Sequence, residues 1–512
     1  MKQHESLLRV KAVLVGMALL VAACGDEDGP SGPAAPVTAP TIQSFTATPT
    51  TVAATGDTVE FRWRTTDATS LAIEPGIGSV TPTDSGSVRR FVSATTTFTL
   101  TATNGAGSAS ADATVTAASS TITVTGTVIG QFTGPLPNVP VIISGHPSTT
   151  TDASGNFTVS GVAMPYEATV VATASKRAMV YKGLTRPDPI LYSVDLSLAM
   201  FPYSATLSGT ISGGTGFPQP ANHRTAVAFA SDEAGGTNTA NGATGAYSLG
   251  LGWAGPVTTT GTIHGLQWEE ASTLPVTYKG YGTNAGVALA DGGVFTGQNI
   301  TMSSIPTATL SGTVIVPSGY SLGIKIVSAV FGRAGSIDVV ADGSSTASFS
   351  YATPSIPGVS LGLRVIASSS TGNTNIWRVG LDPSASGLTI TIPVAPSQTL
   401  PVNAATNVDT TTVFSWTGFN QGVHLVYFNG PLGEPDYYVV TGATSTTIPN
   451  LNTIGLGLPA STAYQWQIRG VAPFASVDDA AGPGGFYPPP GTNPASDGAL
   501  GQSSTRDFTT KP

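Results

Sequence analysis

The sequence has 512 residues, a formal net charge of −9 and only 10% charged residues. An average soluble protein carries about 25% charged residues, so Gly, Ser, Thr, Ala and Pro must cover much of the surface of this chain. No basic stripe with interleaved aromatic residues occurs, which excludes the usual footprint of a nucleic-acid-binding protein. The length corresponds to several domains at roughly 100 to 200 residues each.

The beginning of the chain has the layout of an export signal. Three basic residues precede an apolar run from Ala12 to Ala23, which is too short to span a bilayer comfortably. The run ends in Val21-Ala22-Ala23-Cys24, which resembles the lipobox of bacterial lipoproteins, whose peptidase cuts before the cysteine. The resemblance implies that residues 1–23 are a signal peptide and that Cys24 carries acyl chains, enough for stable anchoring in a membrane.

Cys24 is the only cysteine in the sequence. The alternative interpretation is an unmodified cysteine in a signal that is removed elsewhere. Cleavage before Cys24 removes three basic residues and one acidic residue, which takes the formal net charge from −9 to −11. With Cys24 acylated, no cysteine is left for a disulfide.

Residues 24–40 are rich in Pro, Gly and Ala and predict a flexible tether. The acidic cluster Asp26-Glu27-Asp28 resembles the acid-rich tag that some bacteria place after the lipid-bearing cysteine of surface lipoproteins. A solvated linker is the other interpretation of this cluster. The implied location is the bacterial cell envelope, with the protein anchored by lipid in the outer membrane and exposed at the surface.

Residues 41–118 alternate as a half-buried sheet does. In the run from Val59 to Arg64, apolar and charged residues take turns, which places Val59, Phe61 and Trp63 on one buried face. Asn104 to Gly107 predicts a hairpin turn. These features resemble a bacterial immunoglobulin-like module. Trp63 is either a ligand platform or a core residue, and the sandwich core is the favoured interpretation.

Three segments in the middle of the chain share one strand pattern, centred on Gly126, Gly209 and Gly312. These glycines lie 83 and 103 residues apart, which is too long and too uneven for a solenoid. The pattern predicts separate β-sandwich modules joined end to end. Each copy closes on an alternating strand, which sets the modules at 121–202, 204–305 and 307–395.

The first copy carries the most specific signature, Thr151-Asp152-Ala153-Ser154-Gly155-Asn156-Phe157. It resembles the carboxypeptidase regulatory-like domain, a small transthyretin-like sandwich that is the noncatalytic accessory of its family. Asp152 and Gly155 suit a tight turn, from which Phe157 returns to the core. Asp152 and Asn156 alone are too few oxygens for a calcium site. The second copy keeps a weaker version, and the third lacks the glycine, so its membership in the family stays open.

Residues 396–512 resemble a fibronectin type III module. An early strand contains Trp416, and Leu458 lies six residues before Tyr464. The family has a short loop between its last two strands, whereas residues 473–503 intervene here. Long loops without regular structure are uncommon unless they are functional or disordered. We therefore expect the 473–503 loop, with Phe486 and Tyr487, to contact a partner.

The sequence contains few residues in arrangements that catalysis would need. The histidines have no metal-ligand spacing, and the motifs of serine hydrolases and nucleotide-binding proteins are absent from the sequence. Glu269 and Glu270 are adjacent, and on a strand they point to opposite faces. The sequence therefore predicts no catalytic residue, no metal and no cofactor, and a protein that is not an enzyme.

The predicted fold class is all-β, with tandem immunoglobulin-like, transthyretin-like and fibronectin-like sandwiches in an elongated array. The predicted function is structural or adhesive: the modules display a binding surface for a protein or glycan partner outside the membrane. The alternative is a glycan-binding lipoprotein that captures polysaccharide with Trp253 and Trp268 of the 204–305 module. Aromatic faces stack on sugars, but tryptophan also fills sandwich cores.

Overall fold

We describe a computed structural model of the chain. It describes residues 37–54, 56–118, 121–130, 134–194, 201–420, 422–485, 494 and 496–512. The predicted signal peptide, Cys24 and nearly all of the predicted tether lie outside the described residues. The regular elements of the described residues are β-strands apart from one short α-helix and one 3-10 turn, which confirms the all-β class. The chain divides into two compact units after residue 119.

The first unit is a two-sheet sandwich. Its strands are β1 (Thr41–Thr48), β2 (Thr51–Val52), β3 (Asp57–Thr66), β4 (Ser70–Glu74), β5 (Gly78–Val80), β6 (Ser85–Val92), β7 (Thr96–Asn104) and β8 (Gly107–Ala117). One sheet has the order β1-β3-β6 and the other β2-β8-β7-β4-β5. Val59, Phe61 and Trp63 are buried between the sheets as predicted. The Trp63 indole also donates a 3.0 Å hydrogen bond to the carbonyl of Pro82, so Trp63 is a core residue.

The second unit begins with the first two repeats. The first contains β9 (Thr121–Gly130), β10 (Gly134–Pro135), β11 (Pro140–Ile143), β12 (Thr149–Thr150), β13 (Asn156–Ala163), β14 (Tyr166–Ala172), β15 (Arg177–Leu184) and β16 (Ile190–Ser193). The second contains β17 (Tyr203–Gly213), β18 (His223–Ala230), β19 (Gly235–Thr239), β20 (Ala246–Trp253), β21 (Thr258–Ala271), β22 (Leu274–Ala290), β23 (Gly293–Phe295) and β24 (Ile300–Met302).

The third repeat and the last module complete this unit. The repeat contains β25 (Thr307–Ile315), β26 (Ser321–Val330), β27 (Ser336–Asp342), β28 (Ser348–Pro354), β29 (Ser360–Ser369), β30 (Gly372–Leu381) and β31 (Leu388–Thr391). The module contains β32 (Gln398–Leu400), β33 (Ala405–Val408), β34 (Phe414–Trp416), β35 (Val423–Asn429), β36 (Asp436–Thr441), β37 (Ser445–Thr446), a 3-10 turn (Asn452–Ile454), β38 (Ala463–Ala472), α1 (Val477–Ala480), β39 (Gly498–Ser503) and β40 (Arg506–Thr510).

All three repeats share one topology, so the third repeat has the strand arrangement of the first although it lacks the turn glycine. The first strand of each, β9, β17 or β25, pairs antiparallel with the strand after the turn and parallel with the closing strand. The second sheets run β12-β11-β14-β15, β19-β18-β21-β22 and β27-β26-β29-β30. Residues 306 and 396, where two of the module boundaries are predicted, lie between strands, and β17 begins at Tyr203 itself.

The turn before β13 in the first repeat and the equivalent turn before β28 in the third repeat are built differently. In the first, the Asp152 carboxylate accepts the N–H groups of Ser154 and Asn156 at 2.8 and 2.9 Å, and Gly155 has φ of 76°. This confirms the predicted tight turn. In the third, the fully buried Lys325 donates to the carbonyls of Ser344 and Thr346 and pairs with Asp342 at 3.1 Å. A buried cation thus organises the turn that has lost its glycine.

A parallel strand pair joins the first repeat to the last module. β15 runs beside β36, with Arg177 opposite Asp436. The two side chains form an ion pair at 2.9 Å, and they are only 19% and 12% exposed. Val423 and Leu425 of β35 pack in the same core as the first repeat. The two modules therefore share both a sheet and a core.

An antiparallel pair joins the last module to the third repeat on its other side. β39 lies between β38 and β30, with Gly372 opposite Ser503. The result is one 14-stranded sheet that runs from β12 of the first repeat, through the last module, to β27 of the third repeat. The modules are thus joined side by side at two seams, which is a closer association than an end-to-end arrangement requires.

Candidate binding site

The two tryptophans proposed to stack on sugars are buried. Trp253 is 0% exposed in the core of the second repeat, and its indole donates a 2.7 Å hydrogen bond to the carbonyl of Pro256. Trp268 is 6% exposed and packs in a core that also contains residues of the third repeat. Neither ring offers an open face, because both fill space between sheets. The glycan hypothesis therefore loses these two side chains.

The described parts of the segment 473–503, which is predicted to contact a partner, pack against the first and third repeats. Phe486 and Tyr487 lie outside the described residues, so their role stays a prediction. Helix α1 packs beside β15, where Val477 and Ala480 join the core of the first repeat. β39, at the other end of the segment, forms the seam with the third repeat. The described parts of the insertion therefore hold two neighbouring modules.

Two aspartates of this segment make the polar contacts. The Asp478 carboxylate accepts the N–H groups of Thr185 and Arg186 at 2.8 and 3.1 Å and also the Thr185 hydroxyl. The Asp497 carboxylate accepts from the Arg378 guanidinium at 2.6 Å and from the N–H of Val379 at 2.8 Å. Each aspartate thus binds a different repeat. We name the segment 473–503 the staple.

An open groove lies where the first repeat, the last module and the staple meet. Its volume is about 720 Å³. The lining comes from four places in the chain, which are Lys182 and Gly183, Val413, the segment 441–447, and Ala475 to Val477. Hydroxyl groups and small side chains dominate this lining, and Val413 is 54% exposed. The groove can accept an extended polar segment or a loop of a partner.

A second, smaller cavity of about 300 Å³ opens on the second repeat between β18 and β19. Its lining includes Gln219, His223 and Thr225. The Gln219 amide oxygen accepts the Thr225 hydroxyl at 2.6 Å, and its amide nitrogen donates to the carbonyl of His223 at 2.9 Å. Burial lowers the pKa of His223, which favours the neutral imidazole. We name this cavity the polar pocket.

Below the polar pocket, a buried amide fixes the network. Gln267 is 0% exposed, and its oxygen accepts the N–H of Thr215 at 2.9 Å. The Thr215 hydroxyl lies 3.0 Å from Nδ1 of His223. Because every member is held by another, the pocket presents fixed donors and acceptors to a ligand. Such a set suits a small neutral molecule with several hydroxyl groups.

Sequence reasoning missed both the groove and the polar pocket. The groove combines residues that are more than 200 positions apart, so no local sequence pattern indicates it. The polar pocket had only a weak signal in the sequence, namely the polar residues Gln219, His223 and Thr225 placed close together just before and at the beginning of β18. Aromatic residues drew the attention instead, although tryptophan and tyrosine usually fill a sandwich core.

The described parts of the chain offer little to a metal ion and contain no helix that could cross a bilayer. Within the described ranges, no group of three or more His, Cys, Asp or Glu side chains is arranged to hold a metal ion. Asp152 and Asn156 bind neighbouring protein groups, since Asn156 accepts the Thr127 hydroxyl at 2.8 Å. Among the residues that the structure describes, no helix combines the length and apolar character needed to cross a bilayer.

Comparison with known proteins gives no family. No protein-family model matches the chain, and no curated protein matches it. Solved structures that resemble it include the Sidekick-1 immunoglobulin domains 1–5, at 8% identity over 92% of this chain and 98% of that one, with a TM-score of 0.15. The eight N-terminal Ig domains of Down Syndrome Cell Adhesion Molecule match at 9% identity over 92% and 72%, with a TM-score of 0.14.

A pilus adhesin, SpaC from Lactobacillus rhamnosus GG, matches at 11% identity over 58% of this chain and 46% of its own, with a TM-score of 0.12. TM-scores this low do not bear on how this chain folds or acts. The class of protein therefore rests on the strands and sheets described above, which define an all-β protein of tandem sandwiches.

Proposed function

We propose that this chain is a lipid-anchored, non-catalytic display protein of the bacterial cell envelope that adheres to a partner through residues 120–512. The observation that carries the proposal is the 14-stranded sheet, in which two repeats and the last module are joined at two seams, with the staple forming the seam to the third repeat. A continuous sheet resists bending where linked sandwiches would hinge. Such a body suits a protein that holds a binding surface in a fixed orientation.

The anchor is supported by the sequence at Cys24, where an apolar run ends in small residues. The chain has few charges, and its strands carry Ser and Thr on their exposed faces, which keeps the surface polar without strong fields. Neither feature requires catalysis. Within this proposal the groove is the partner site, because it is open and is lined by the first repeat, the last module and the staple.

The groove is tested with an exposed substitution in it. Val413→Arg places a long cation in the groove, and Leu432→Arg, at a fully exposed position outside the lining, is the matched control. Cells that display each variant are scored for adhesion to host cells, matrix and other bacteria. We expect Val413→Arg to lose adhesion and Leu432→Arg to keep it. Equal adhesion of both variants and the unmodified protein would remove the groove from the proposal.

The anchor is tested separately. Metabolic labelling with a fatty acid is compared between the unmodified protein and Cys24→Ala, and intact cells are treated with protease. We expect label only when Cys24 is present and cleavage of residues 120–512 from whole cells. Label without cleavage would place the modules in the periplasm, and label on Cys24→Ala would refute the anchor.

A second candidate function is capture of a glycan by the second repeat. The polar pocket favours it, because its fixed amide, imidazole and hydroxyl groups match a sugar better than the buried Trp253 and Trp268 do. Thr239→Tyr fills this pocket from an exposed position, and Thr296→Tyr is a control elsewhere in the same repeat. On a glycan array we expect hits that disappear only with Thr239→Tyr. An array without hits would end this candidate.

A further inference from the structure

One outer face of the first unit collects arginines. β3 alternates, so that Glu60, Arg62 and Arg64 point away from the core while Val59, Phe61 and Trp63 point into it. In the neighbouring strand β6, Arg89 lies opposite Glu60 and therefore shares their face. All three arginines are exposed. We name Arg62, Arg64 and Arg89 the arginine face.

The remaining positions of this face in the described strands are small and polar, so the neighbouring strands of the sheet leave the guanidinium groups uncovered. Ser44 and Thr46 of β1 lie opposite Arg64 and Arg62. On the other side, Ser85 and Ser87 of β6 are their partners. Glu60 is the one carboxylate in the middle of the face, and it pairs with Arg62 at 2.9 Å. Three cations and one anion leave a positive surface in a chain whose overall charge is negative.

The charges of residues 120–512 are arranged differently. Seven of their thirteen Lys and Arg side chains are in ion pairs within the described residues. In the first unit, Arg62 alone of four arginines is in such a pair. Two carboxylates, Asp57 and Asp84, lie at the strand ends, where each accepts the N–H of the following residue. The arginine face therefore has cationic capacity that the fold itself does not use.

An aromatic side chain extends the same face. Phe91 lies opposite Thr58, two residues beyond Arg89 on the outward side of β6, and it is 60% exposed. An exposed aromatic ring beside arginines is the composition of a surface that rests at the headgroup level of a bilayer. The face thus offers both charge attraction and an apolar side chain to a membrane.

The position of the face in the chain limits what it can reach. Val37, the first described residue, follows Cys24 by only 13 residues, which span at most about 47 Å when fully extended. If Cys24 carries lipid, as the proposed function requires, the first unit is held within that distance of the bilayer surface. Anionic headgroups are then the most concentrated partner of opposite charge within reach.

We propose that the arginine face docks the first unit onto anionic phospholipid headgroups of the leaflet that holds the Cys24 anchor. The contact orients the first unit against the membrane. This inference rests on the proposed anchor. The arginine face would bind the lipid surface. Binding of an acidic polysaccharide instead is the competing result of the test.

The test uses the mature chain, residues 24–512, with Cys24→Ser so that no lipid is attached. Sedimentation measures its binding to vesicles of equal parts phosphatidylglycerol and phosphatidylcholine and to vesicles of phosphatidylcholine alone. We compare the parent with the triple variant Arg62→Gln, Arg64→Gln, Arg89→Gln. The matched control removes three exposed cations from the other unit, with Arg333→Gln, Arg364→Gln and Lys511→Gln.

We expect binding that needs phosphatidylglycerol and falls as NaCl rises from about 0.05 to about 0.5 M, since salt screens such contacts. Each arginine is expected to contribute about fivefold, so the triple variant binds about 100-fold more weakly and the control binds as the parent does. Glu60→Gln removes the opposing charge and is expected to strengthen binding to the phosphatidylglycerol vesicles alone, whereas apolar residues exposed by misfolding would also bind the neutral vesicles.

Binding to neutral vesicles that equals binding to anionic ones would overturn the proposal. Equal losses in the triple variant and its control would do the same. So would capture by an acidic polysaccharide without binding to vesicles. Because the vesicle test needs no lipid on Cys24, its failure leaves the anchor itself untouched, and fatty-acid labelling decides the anchor independently.

Discussion

Residues 41–118 and residues 120–512 use the same kinds of strand but close their cores in different ways. The first unit buries its apolar residues among themselves, around Phe61 and Phe98 with ring centroids 4.5 Å apart. In the second unit, one core contains residues of the second repeat, the third repeat and the last module. A sandwich that closes its own core can be stable alone, whereas modules that share cores depend on each other.

The largest expected effect is the loss of stability when a buried ring is removed, and the two units should differ in how many modules it destabilises. Phe61→Ala and Phe419→Ala each remove a buried ring, and such changes cost about 3 to 5 kcal/mol. We expect Phe61→Ala to lower only the unfolding transition of the first unit. Phe419→Ala is expected to lower the unfolding temperature of all modules in 120–512 together. Calorimetry of the mature chain measures both, and a Phe419→Ala effect confined to the last module would contradict shared cores.

The seam between β30 and β39 is tested by a glycine. A Cβ added at Gly372 would lie 2.2 Å from the carbonyl oxygen of Gln502, a backbone atom of the staple. We expect Gly372→Ala to force these strands apart and to cost about 3 kcal/mol in the free energy of unfolding. Gly250→Ala, where nothing lies within 4 Å, is the control. Denaturant unfolding that finds the two variants equally stable would argue against the seam.

A partly buried histidine, His264, lies where the second and third repeats meet, and we expect it to make the protein less stable in acid. His264 stacks on Phe331 at 4.1 Å, and its Nδ1 lies 2.8 Å from the Tyr281 hydroxyl. Burial lowers the pKa of His264 to about 4. The unfolded chain therefore takes up a proton near pH 6.5 while the folded chain resists it, so stability is complete above that pH and falls down to about pH 4.

The expected loss is about 2 kcal/mol between these two pH values. Thermal unfolding is measured across this range for the parent and for His264→Gln, which removes the titrating ring. The substitution is expected to flatten the slope of stability against pH whatever its effect at neutral pH. An unchanged slope would show that His264 is protonated equally in both states. The pKa values of His223 and His424 are also lowered, by burial first, and they account for the slope that remains.

The smallest expected effect concerns the polar end of the staple. Asp478→Ala leaves the N–H groups of Thr185 and Arg186 without their acceptor, and we expect a cost of about 1 to 2 kcal/mol. The neighbouring Asp479 binds only within its own turn, to Ser476, so Asp479→Ala is the control. Hydrogen exchange of β15 should rise in the first variant alone. Equal exchange in both would mean that Asp478 does not hold the first repeat.

The sequence was sufficient for local structure. Alternation predicted the buried face of β3, and Asp152 with Gly155 predicted a turn that the hydrogen bonds confirm. The buried face and the turn depend only on residues that are close in the sequence, so a period of two and a turn motif are enough to predict them. The unusual length of the 473–503 segment was also correctly noticed, although its described contacts are with the chain itself.

The seams and the pockets were beyond reach of such patterns. Nothing in the sequence near Arg177 indicates that it faces Asp436, because the two belong to strands more than 250 residues apart. Trp253 and Trp268 were chosen for their irregular surroundings, yet both lie in cores. The third repeat lacks the turn glycine but keeps the topology, since the buried Lys325 replaces a local signal with a long-range contact.

The most direct test of the shared sheet is a cross-link at a seam. In a Cys24→Ala background, Asn373→Cys and Gln502→Cys place two thiols on directly opposed positions of β30 and β39, where a disulfide can close. Asn429→Cys with Gln465→Cys, opposed on β35 and β38 within the last module, is the positive control. A shared sheet predicts that both pairs oxidise and resist maleimide. Closure of the control pair alone, with both seam thiols labelled, would contradict it.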